Sequence, residues 1–232
     1  MNKQELFIWF YTARAQESKL FPLYEDYWLS DKYCPKKQVP ILGDWVMYYP
    51  PKDGYPTYDT RFAMPEILYL HIKSKVQPSF DWFPQNYNLK IVSESFLGFM
   101  SSNQLHDRFE ATECKIFGID GKEFVAKKYF VIRICEFDDD KFDFHIENKK
   151  RAIGCNKYNY FLYPDMQLKN YNGKQNIFFL DEFCYQNGII LTADGNDYMM
   201  QNFNVPELYK LEDFRFVWNN RYNVGQLPEM IK

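Results

Sequence analysis

Residues 114–134 read CKIFGIDGKEFVAKKYFVIRI, two runs of β-prone residues on either side of Asp120-Gly121. Asp-Gly between such runs is a strong signal for a β-hairpin, because both central residues of a type I′ turn have positive φ. Further along, residues 142–146 alternate between apolar and polar side chains, which is typical of a half-buried strand. The pattern predicts a three-stranded antiparallel meander over residues 113–147.

The rest of the sequence favours the same sheet-rich class. Aromatic residues, which are common in strands, make up 20% of the 232 residues. Residues 6–11 and 214–218 read as strands, and residues 66–72 read as either a strand or a buried helical turn. We expect a single α+β domain over residues 1–232, mainly antiparallel sheet with a few short packed helices. A division into two similar lobes near residues 150–175 is the alternative.

Two segments share a strand-to-helix pattern. In residues 90–100 and again in residues 189–200, a short apolar run is followed by a hydroxyl residue, then acidic residues, then apolar residues at helical spacing. Ser93 and Thr192 are the expected caps, because an N-cap hydroxyl accepts a hydrogen bond from a free N–H of the first turn. The two segments are either a quasi-repeat or two unrelated capped helices.

Charge and cysteine content narrow the function classes. The net charge of −3 lacks the basic footprint of most nucleic-acid-binding proteins, and no apolar run reaches the ~18 residues of a membrane-spanning helix. The five cysteines are widely spaced and lack a C-x-x-C pair, which favours reduced thiols over disulfides or a zinc site. We expect a cytoplasmic protein with no metal and no cofactor, and with no direct binding to nucleic acid or membrane.

The densest acidic segment follows the predicted hairpin, at Asp138, Asp139, Asp140 and Asp143. A solvated turn between strands is one interpretation. A calcium site is disfavoured, because the segment has no Gly to permit the turn of a calcium loop. A third interpretation is a partner-binding loop that is steered by its charge into a basic cleft.

Most aromatic side chains are expected in the core, and a few are candidates for binding. The candidate interface anchors lie in a Pro-rich loop region: Tyr48, Tyr49, Tyr55 and Tyr58. Trp45 and Trp82 are candidate platforms for sugar stacking.

The order of these features resembles the bacterial polymorphic-toxin immunity proteins, in particular the group that includes immunity families 11 and 43. The resemblance rests on a Trp/Pro-rich first third, the Ile-Val-Ser-Glu-x-Phe-Leu stretch at residues 91–97, the meander that follows, and the Ile-Phe-x-Leu run at residues 177–180. It covers roughly residues 60–217. It implies an antidote that binds a co-encoded toxin domain and blocks it, and it supplies no catalytic residues.

On this hypothesis the chain is not an enzyme, and a nuclease toxin with a basic cleft suits its acidic segment. The predicted partner-binding residues are then Asp138, Asp139, Asp140, Asp143, Tyr48 and Tyr49. The alternative function is a cytosolic hydrolase with a site assembled near His71, His106 or His145. A carbohydrate-binding or scaffold module is a third.

Overall fold

The fold is taken from a computed structural model that describes residues 4–12, 27–34, 42–56, 59–85, 88–103, 105–153, 159–170, 173–204, 206–222 and 225–231. The strands are β1 (Leu6–Trp9), β2 (Tyr27–Ser30), β3 (Ile67–Ile72), β4 (Trp82–Pro84), β5 (Leu89–Ser93), β6 (Phe109–Phe117), β7 (Glu123–Ile134), β8 (Phe142–Asp143), β9 (Lys150–Arg151), β10 (Phe161–Leu162), β11 (Gln167–Leu168), β12 (Ile177–Phe178), β13 (Ile189–Thr192) and β14 (Leu208–Lys210). The helices are α1 (Pro50–Asp53), α2 (Glu94–Ser102), α3 (Ala193–Asn202) and α4 (Phe214–Asn220). The chain is therefore an α+β protein built mainly of sheet, which confirms the predicted fold class.

The chain forms two compact units. The middle unit comprises Gln16–Glu136, and the terminal unit comprises Met1–Ala15 together with Phe137–Lys232. This division lies upstream of the junction suggested at residues 150–175. The organisation as a single domain over residues 1–232 stays a prediction.

The middle unit contains a six-stranded sheet in the order β2-β3-β6-β7-β5-β4. Neighbouring strands are antiparallel except β3 and β6, which run parallel. Residues 67–72 form β3, with Leu68 and Leu70 fully buried, so the ambiguous segment is a strand. Helix α2 lies against β5 and β7 and buries Phe96 and Met100.

β6 and β7 form the predicted hairpin, but its turn is not type I′. Gly121 has a positive φ of 75°, and Asp120 has no positive φ. The N–H of Gly121 donates to the carbonyl of Gly118 at 3.0 Å, and the N–H of Gly118 donates to the carbonyl of Lys122 at 2.9 Å. The longer loop therefore needs a single left-handed residue, which glycine supplies.

The prediction of a third strand in the meander is wrong. β8 contains only two residues, and it pairs with β11 in the terminal unit and not with β7. His145 adopts a left-handed φ of 43°, which ends the extended backbone, and Ile146 is 63% exposed. The apolar alternation thus continues past the point where the strand stops.

The terminal unit contains a four-stranded antiparallel sheet in the order β12-β13-β1-β14. The predicted first strand is confirmed as β1, and it occupies an interior position, where Leu6 pairs with Thr192 and Trp9 pairs with Leu208. Ile8 and Phe10 belong to the buried cluster that also includes the apolar face of α4.

Residues 214–218 begin helix α4, so the strand predicted there is wrong. Phe214, Val217 and Trp218 are buried, whereas Phe216 is 44% exposed. Burial at i, i+3 and i+4 is the helical repeat. The ring of Phe214 packs on that of Tyr185 with centroids 5.0 Å apart, which anchors the start of the helix in the core.

The strand-to-helix pattern is confirmed at both places. The hydroxyl of Ser93 accepts a hydrogen bond from the N–H three residues along at 3.2 Å and donates to Oδ1 of Asp81 at 2.6 Å. The hydroxyl of Thr192 accepts from the N–H three residues along at 3.3 Å and donates to Oδ1 of Asn176 at 2.9 Å. Each cap therefore joins a helix start to the residue that precedes the neighbouring strand.

The equivalence extends to the sheets of the two units. The strands β4-β5-β7-β6 of the middle unit and β12-β13-β1-β14 of the terminal unit have the same antiparallel pairings. In both, the N–H of the cap also donates to the backbone carbonyl of the same partner, from Ser93 to Asp81 at 3.0 Å and from Thr192 to Asn176 at 3.2 Å. The two units thus contain the same sheet motif. The copies differ in the order of the strands along the chain, because β7 comes after both strands beside it in the sheet and β1 comes before both strands beside it.

Candidate functional site

The first aspartate of the acidic segment is a buried brace and not a solvated charge. Asp138 is 0% exposed. Its carboxylate accepts hydrogen bonds from the N–H of Phe179 at 3.0 Å and from Nε2 of Gln175 at 3.2 Å. Nζ of Lys141 lies 2.7 Å from the same group. The solvated-turn interpretation is therefore wrong for Asp138, whose charge is used to hold two loops together.

Asp139 fixes the start of a second loop. Its carboxylate accepts hydrogen bonds from the N–H of Asp181 at 2.8 Å and from the N–H of Glu182 at 3.2 Å. Burial raises the pKa of all three acids, and the charges of Asp139 and Asp181 raise the pKa of Glu182 further. Within the described residues, no group of three His, Cys, Asp or Glu side chains is placed to hold a metal ion.

The exposed part of the acidic segment is smaller than the sequence suggests. Asp140 and Asp143 are exposed. Oδ1 of Asp143 accepts a hydrogen bond from the N–H of His145 at 3.1 Å, and Oδ2 lies 3.8 Å from Nε2 of the same histidine. These two aspartates are the members of the segment that a partner can reach.

Tyr48, predicted as an exposed anchor, is buried. Its ring lies 4.6 Å from the guanidinium of Arg133 and 5.5 Å from the ring of Phe62. Arg133 is itself fully buried and donates to the carbonyls of Trp45 and Phe62, each at 2.9 Å, and to Oε2 of Glu110 at 2.7 Å. A buried cation on β7 therefore holds the Pro-rich loop region in place, with Tyr48 beneath it.

The remaining aromatic candidates have different settings. Tyr49 is half-buried, and its N–H donates to the carboxylate of Asp53 at 2.7 Å. Tyr55 is half-buried, and Tyr58 lies outside the described residues. Trp45 and Trp82 are buried in the middle unit, so the sugar-stacking interpretation of these two rings is wrong.

The three histidines lie in three different environments. His71 is buried and stacked on Trp28 with ring centroids 5.0 Å apart, and burial lowers its pKa. His106 is exposed and lies 2.9 Å from Asp107, the residue next to it. His145 belongs to the terminal unit and has the left-handed backbone described above. Nothing in these surroundings favours the hydrolase alternative.

Four cysteines form no disulfide among the described residues: Cys34, Cys114, Cys135 and Cys184. Burial raises the pKa of Cys114 and that of Cys135 to about 12, so both stay protonated at neutral pH. Cys155 lies outside the described residues.

A family model described as immunity protein 43 matches residues 13–226 of the chain. The chain belongs to the immunity protein 43 family. The resemblance drawn from residues 91–97 and 177–180 is thereby confirmed for family 43, one of the immunity protein families of polymorphic toxin systems. A comparison with curated proteins gives no match.

The match to immunity protein 43 spans both strand-to-helix caps and the acidic segment. Among the residues that the structure describes, no helix has the length and apolar character needed to cross a membrane.

This immunity protein 43 member also has an exposed surface that the sequence reasoning missed. We call it the α4 surface; it consists of the exposed residues 149–151, Ile153, Phe216 and Tyr222 and the half-buried Arg215 and Arg221. Ile153 is 63% exposed and Tyr222 is 69% exposed. The sequence analysis expects a strand at residues 214–218. The helical spacing of Phe214, Val217 and Trp218 is the signal that predicts an outward-facing Phe216.

Proposed function

We propose that this immunity protein neutralises its cognate toxin domain in the cytosol by binding it and covering its active site, without breaking bonds. The observation that carries the proposal is the family match over residues 13–226, which spans nearly the whole chain. Steric occlusion needs a preformed surface, because a partner that must be ordered on binding loses affinity.

The internal bracing of the loops supports this mechanism. Arg133 fixes the loop that carries Tyr48, and Asp138 and Asp139 fix the loops around residues 175–182. The charged groups of Arg133, Asp138 and Asp139 all contact backbone atoms of these loops. Such bracing favours a surface that is ordered before the partner binds.

Three members of the predicted binding set remain our proposed contacts: the exposed Asp140 and Asp143, and the half-buried Tyr49. Carboxylates on an exposed loop suit a basic cleft, and a nuclease toxin has such a cleft. The double substitution Asp140→Asn and Asp143→Asn should then slow association with the toxin at low salt, because the attraction between these carboxylates and the basic cleft is lost. An unchanged association rate would remove these two residues from the interface.

The test is neutralisation of the toxin domain encoded beside this chain. Cells that express the toxin should grow when the chain is co-expressed, and the two proteins should co-purify. With purified proteins, residual toxin activity should fall in proportion to the added chain and reach zero at an equimolar amount. Occlusion requires this stoichiometry, because each bound copy blocks one active site.

The same titration separates occlusion from catalysis. An enzyme that modifies or degrades the toxin would abolish its activity at strongly substoichiometric amounts, and the loss would grow with time. Either behaviour would contradict the mechanism. Failure to protect cells and failure to form a complex would contradict the proposed function itself.

A further inference from the structure

The terminal unit contains a ladder of stacked rings that ends at the α4 surface. Tyr160 stacks on Phe183 with ring centroids 3.6 Å apart. Phe183 meets Trp218 edge-on with centroids 6.2 Å apart. The guanidinium carbon of Arg221 then lies 4.0 Å from the Trp218 ring and 4.5 Å from the Tyr222 ring. The ladder therefore ends at an arginine that lies close to two aromatic rings.

Arg221 is fixed in place by its backbone contacts as well as by stacking. Its Nη1 donates to the carbonyl of Trp218 at 2.7 Å and to the carbonyl of Ile153 at 3.4 Å. No hydrogen bond to the described residues involves its Nε or Nη2. A guanidinium that is already ordered loses little further conformational entropy when it binds an acceptor. Its planar arrangement of N–H donors matches the two oxygens of a carboxylate.

Some of the other described arginines, unlike Arg221, have a carboxylate partner. Nη2 of Arg61 lies 2.6 Å from Asp59, and Nε of Arg108 lies 3.5 Å from Glu136. Arg221 forms no ion pair with any residue that the structure describes. It is thus a preordered cation whose charge is not matched within the described chain.

The surroundings of Arg221 extend the same chemistry. Lys149 lies 4.2 Å from the ring of Phe161, and Arg215 lies 4.4 Å from the ring of Phe216, each a cation over an aromatic face. The N–H of Ile153 donates to Oδ1 of Asn219 at 3.0 Å, which joins residues 149–153 to the end of α4. Like Arg221, the cations at positions 149–151 and 215 form no ion pair among the described residues. The result is a cationic and aromatic surface on a chain whose net charge is −3.

We propose that the α4 surface is the main anchor for the toxin, that it receives an acidic face of the toxin domain, and that Arg221 binds a carboxylate there. This inference rests on the proposed function and names the surface that performs it. Arg, Trp and Tyr are the residues most enriched among those that dominate binding energy at interfaces. Unmatched cations next to exposed rings fit a partner surface of opposite charge.

The test measures binding of the full chain to a catalytically inactive form of the neighbouring toxin domain. Arg221→Gln should weaken binding by at least about 30-fold, mainly through faster dissociation, as expected for an anchoring residue. Arg221→Lys should not restore binding, because lysine keeps the charge but loses the planar fork and the stacking. The matched control is Arg61→Gln, which removes an exposed arginine already paired with its own aspartate and should leave binding unchanged.

A second measurement reports the charge of the partner. Neutralising residues 149–151 with glutamine should slow association at low salt, and the difference should vanish at high salt. Circular dichroism and thermal denaturation of each variant establish that it is folded. Since Tyr222 is largely exposed, Tyr222→Ala gives a further variant whose fold should be intact and whose affinity should fall.

The outcomes separate the two proposals. Full-strength binding by folded Arg221→Gln, with the wild-type chain still protecting cells, would overturn the α4 assignment and leave the proposed function standing. An association rate at low salt that does not fall after residues 149–151 are neutralised would also overturn the assignment. Tight binding of a fluorescent single-stranded RNA of random sequence in place of the toxin would do the same. A wild-type chain that neither binds nor protects would overturn the proposed function and the α4 assignment together.

Discussion

Replacing Arg133 with methionine should destabilise the middle unit strongly. Arg133 is fully buried, and its guanidinium is the shared partner of two backbone carbonyls, one carboxylate and one ring. Methionine fills a similar volume but can satisfy none of these groups. The carbonyl of Phe62 would lose this donor, the carbonyl of Trp45 would keep only the N–H of Tyr48, and Glu110 would lose its cation.

The size of the effect follows from these contacts. A buried acceptor left without a donor costs about 1–3 kcal/mol. Removing one partner of a buried ion pair costs about 3–5 kcal/mol, and the lower end applies because Glu110 is only partly buried. The two costs overlap, so we expect a loss of about 3–5 kcal/mol in the free energy of unfolding. A domain of this kind has about 5–15 kcal/mol in total, so the loss is a large part of the stability.

Urea denaturation followed by tryptophan fluorescence measures the loss, and amide hydrogen exchange shows where it acts. Exchange should accelerate over residues 42–62, because Arg133 holds that segment onto β7. Arg61→Met is the matched control: its guanidinium is exposed and pairs with Asp59, so stability should not change measurably. Adding Glu110→Gln to Arg133→Met should recover part of the loss, since no unpaired charge then remains.

A stability of Arg133→Met within about 1 kcal/mol of the parent chain would refute this reasoning. Unchanged exchange over residues 42–62 would refute the proposed location of the effect even if the chain lost stability.

Three further predictions concern the repeated caps, a close backbone approach and the carboxylate cluster. Ser93→Ala and Thr192→Ala should each lower the free energy of unfolding by about 1 kcal/mol in urea, and a loss at only one of them would contradict their equivalence. Gly195→Ala should lower Tm, because a Cβ there would collide with a backbone carbonyl oxygen. Gly98→Ala is the control, since a Cβ at that position meets open space, and it should raise the free energy of unfolding by about 0.5–1 kcal/mol. An unchanged Tm for Gly195→Ala would contradict the close approach. Burial raises the pKa of Asp181 above its ordinary value of 3.8, so the folded chain binds this proton more tightly than the unfolded chain, and stability falls as pH rises from 3.8 through the folded pKa. Asp181→Asn should therefore raise Tm at neutral pH and flatten that part of the pH profile; a lower Tm at neutral pH would count against the burial argument.

Local signals predicted the parts of the fold that depend on neighbouring residues. Asp120-Gly121 between two β-prone runs predicted the hairpin, and Ser93 and Thr192 predicted the two caps. Each of these features is decided within a few residues of the chain. The strand prediction for residues 214–218 was wrong because their apolar positions fit both a strand repeat and a helix repeat. Only packing against the core decides between the two.

The candidate site was harder to predict because its partners are distant in sequence. Arg133 donates to carbonyls 88 and 71 residues away, and Asp138 accepts from the N–H of a residue 41 positions further along. A run of aspartates therefore looked solvated, and Tyr48 looked exposed, since no local pattern shows which loops close over them. The exposure of Tyr222 and the partial exposure of Arg221 depend likewise on the helix that the local pattern did not predict.

The interior place of β1 has a consequence for biosynthesis. Leu6 pairs with Thr192, so the ribosome must add about 186 residues before this strand can meet its partner, roughly 10–40 s at ordinary elongation rates. All strands of the middle unit emerge during that interval and can fold first. The apolar opening strand must meanwhile stay unpaired, exposed to chaperones and to other nascent copies, and a ribosome that stalls late would release a chain whose terminal sheet cannot close.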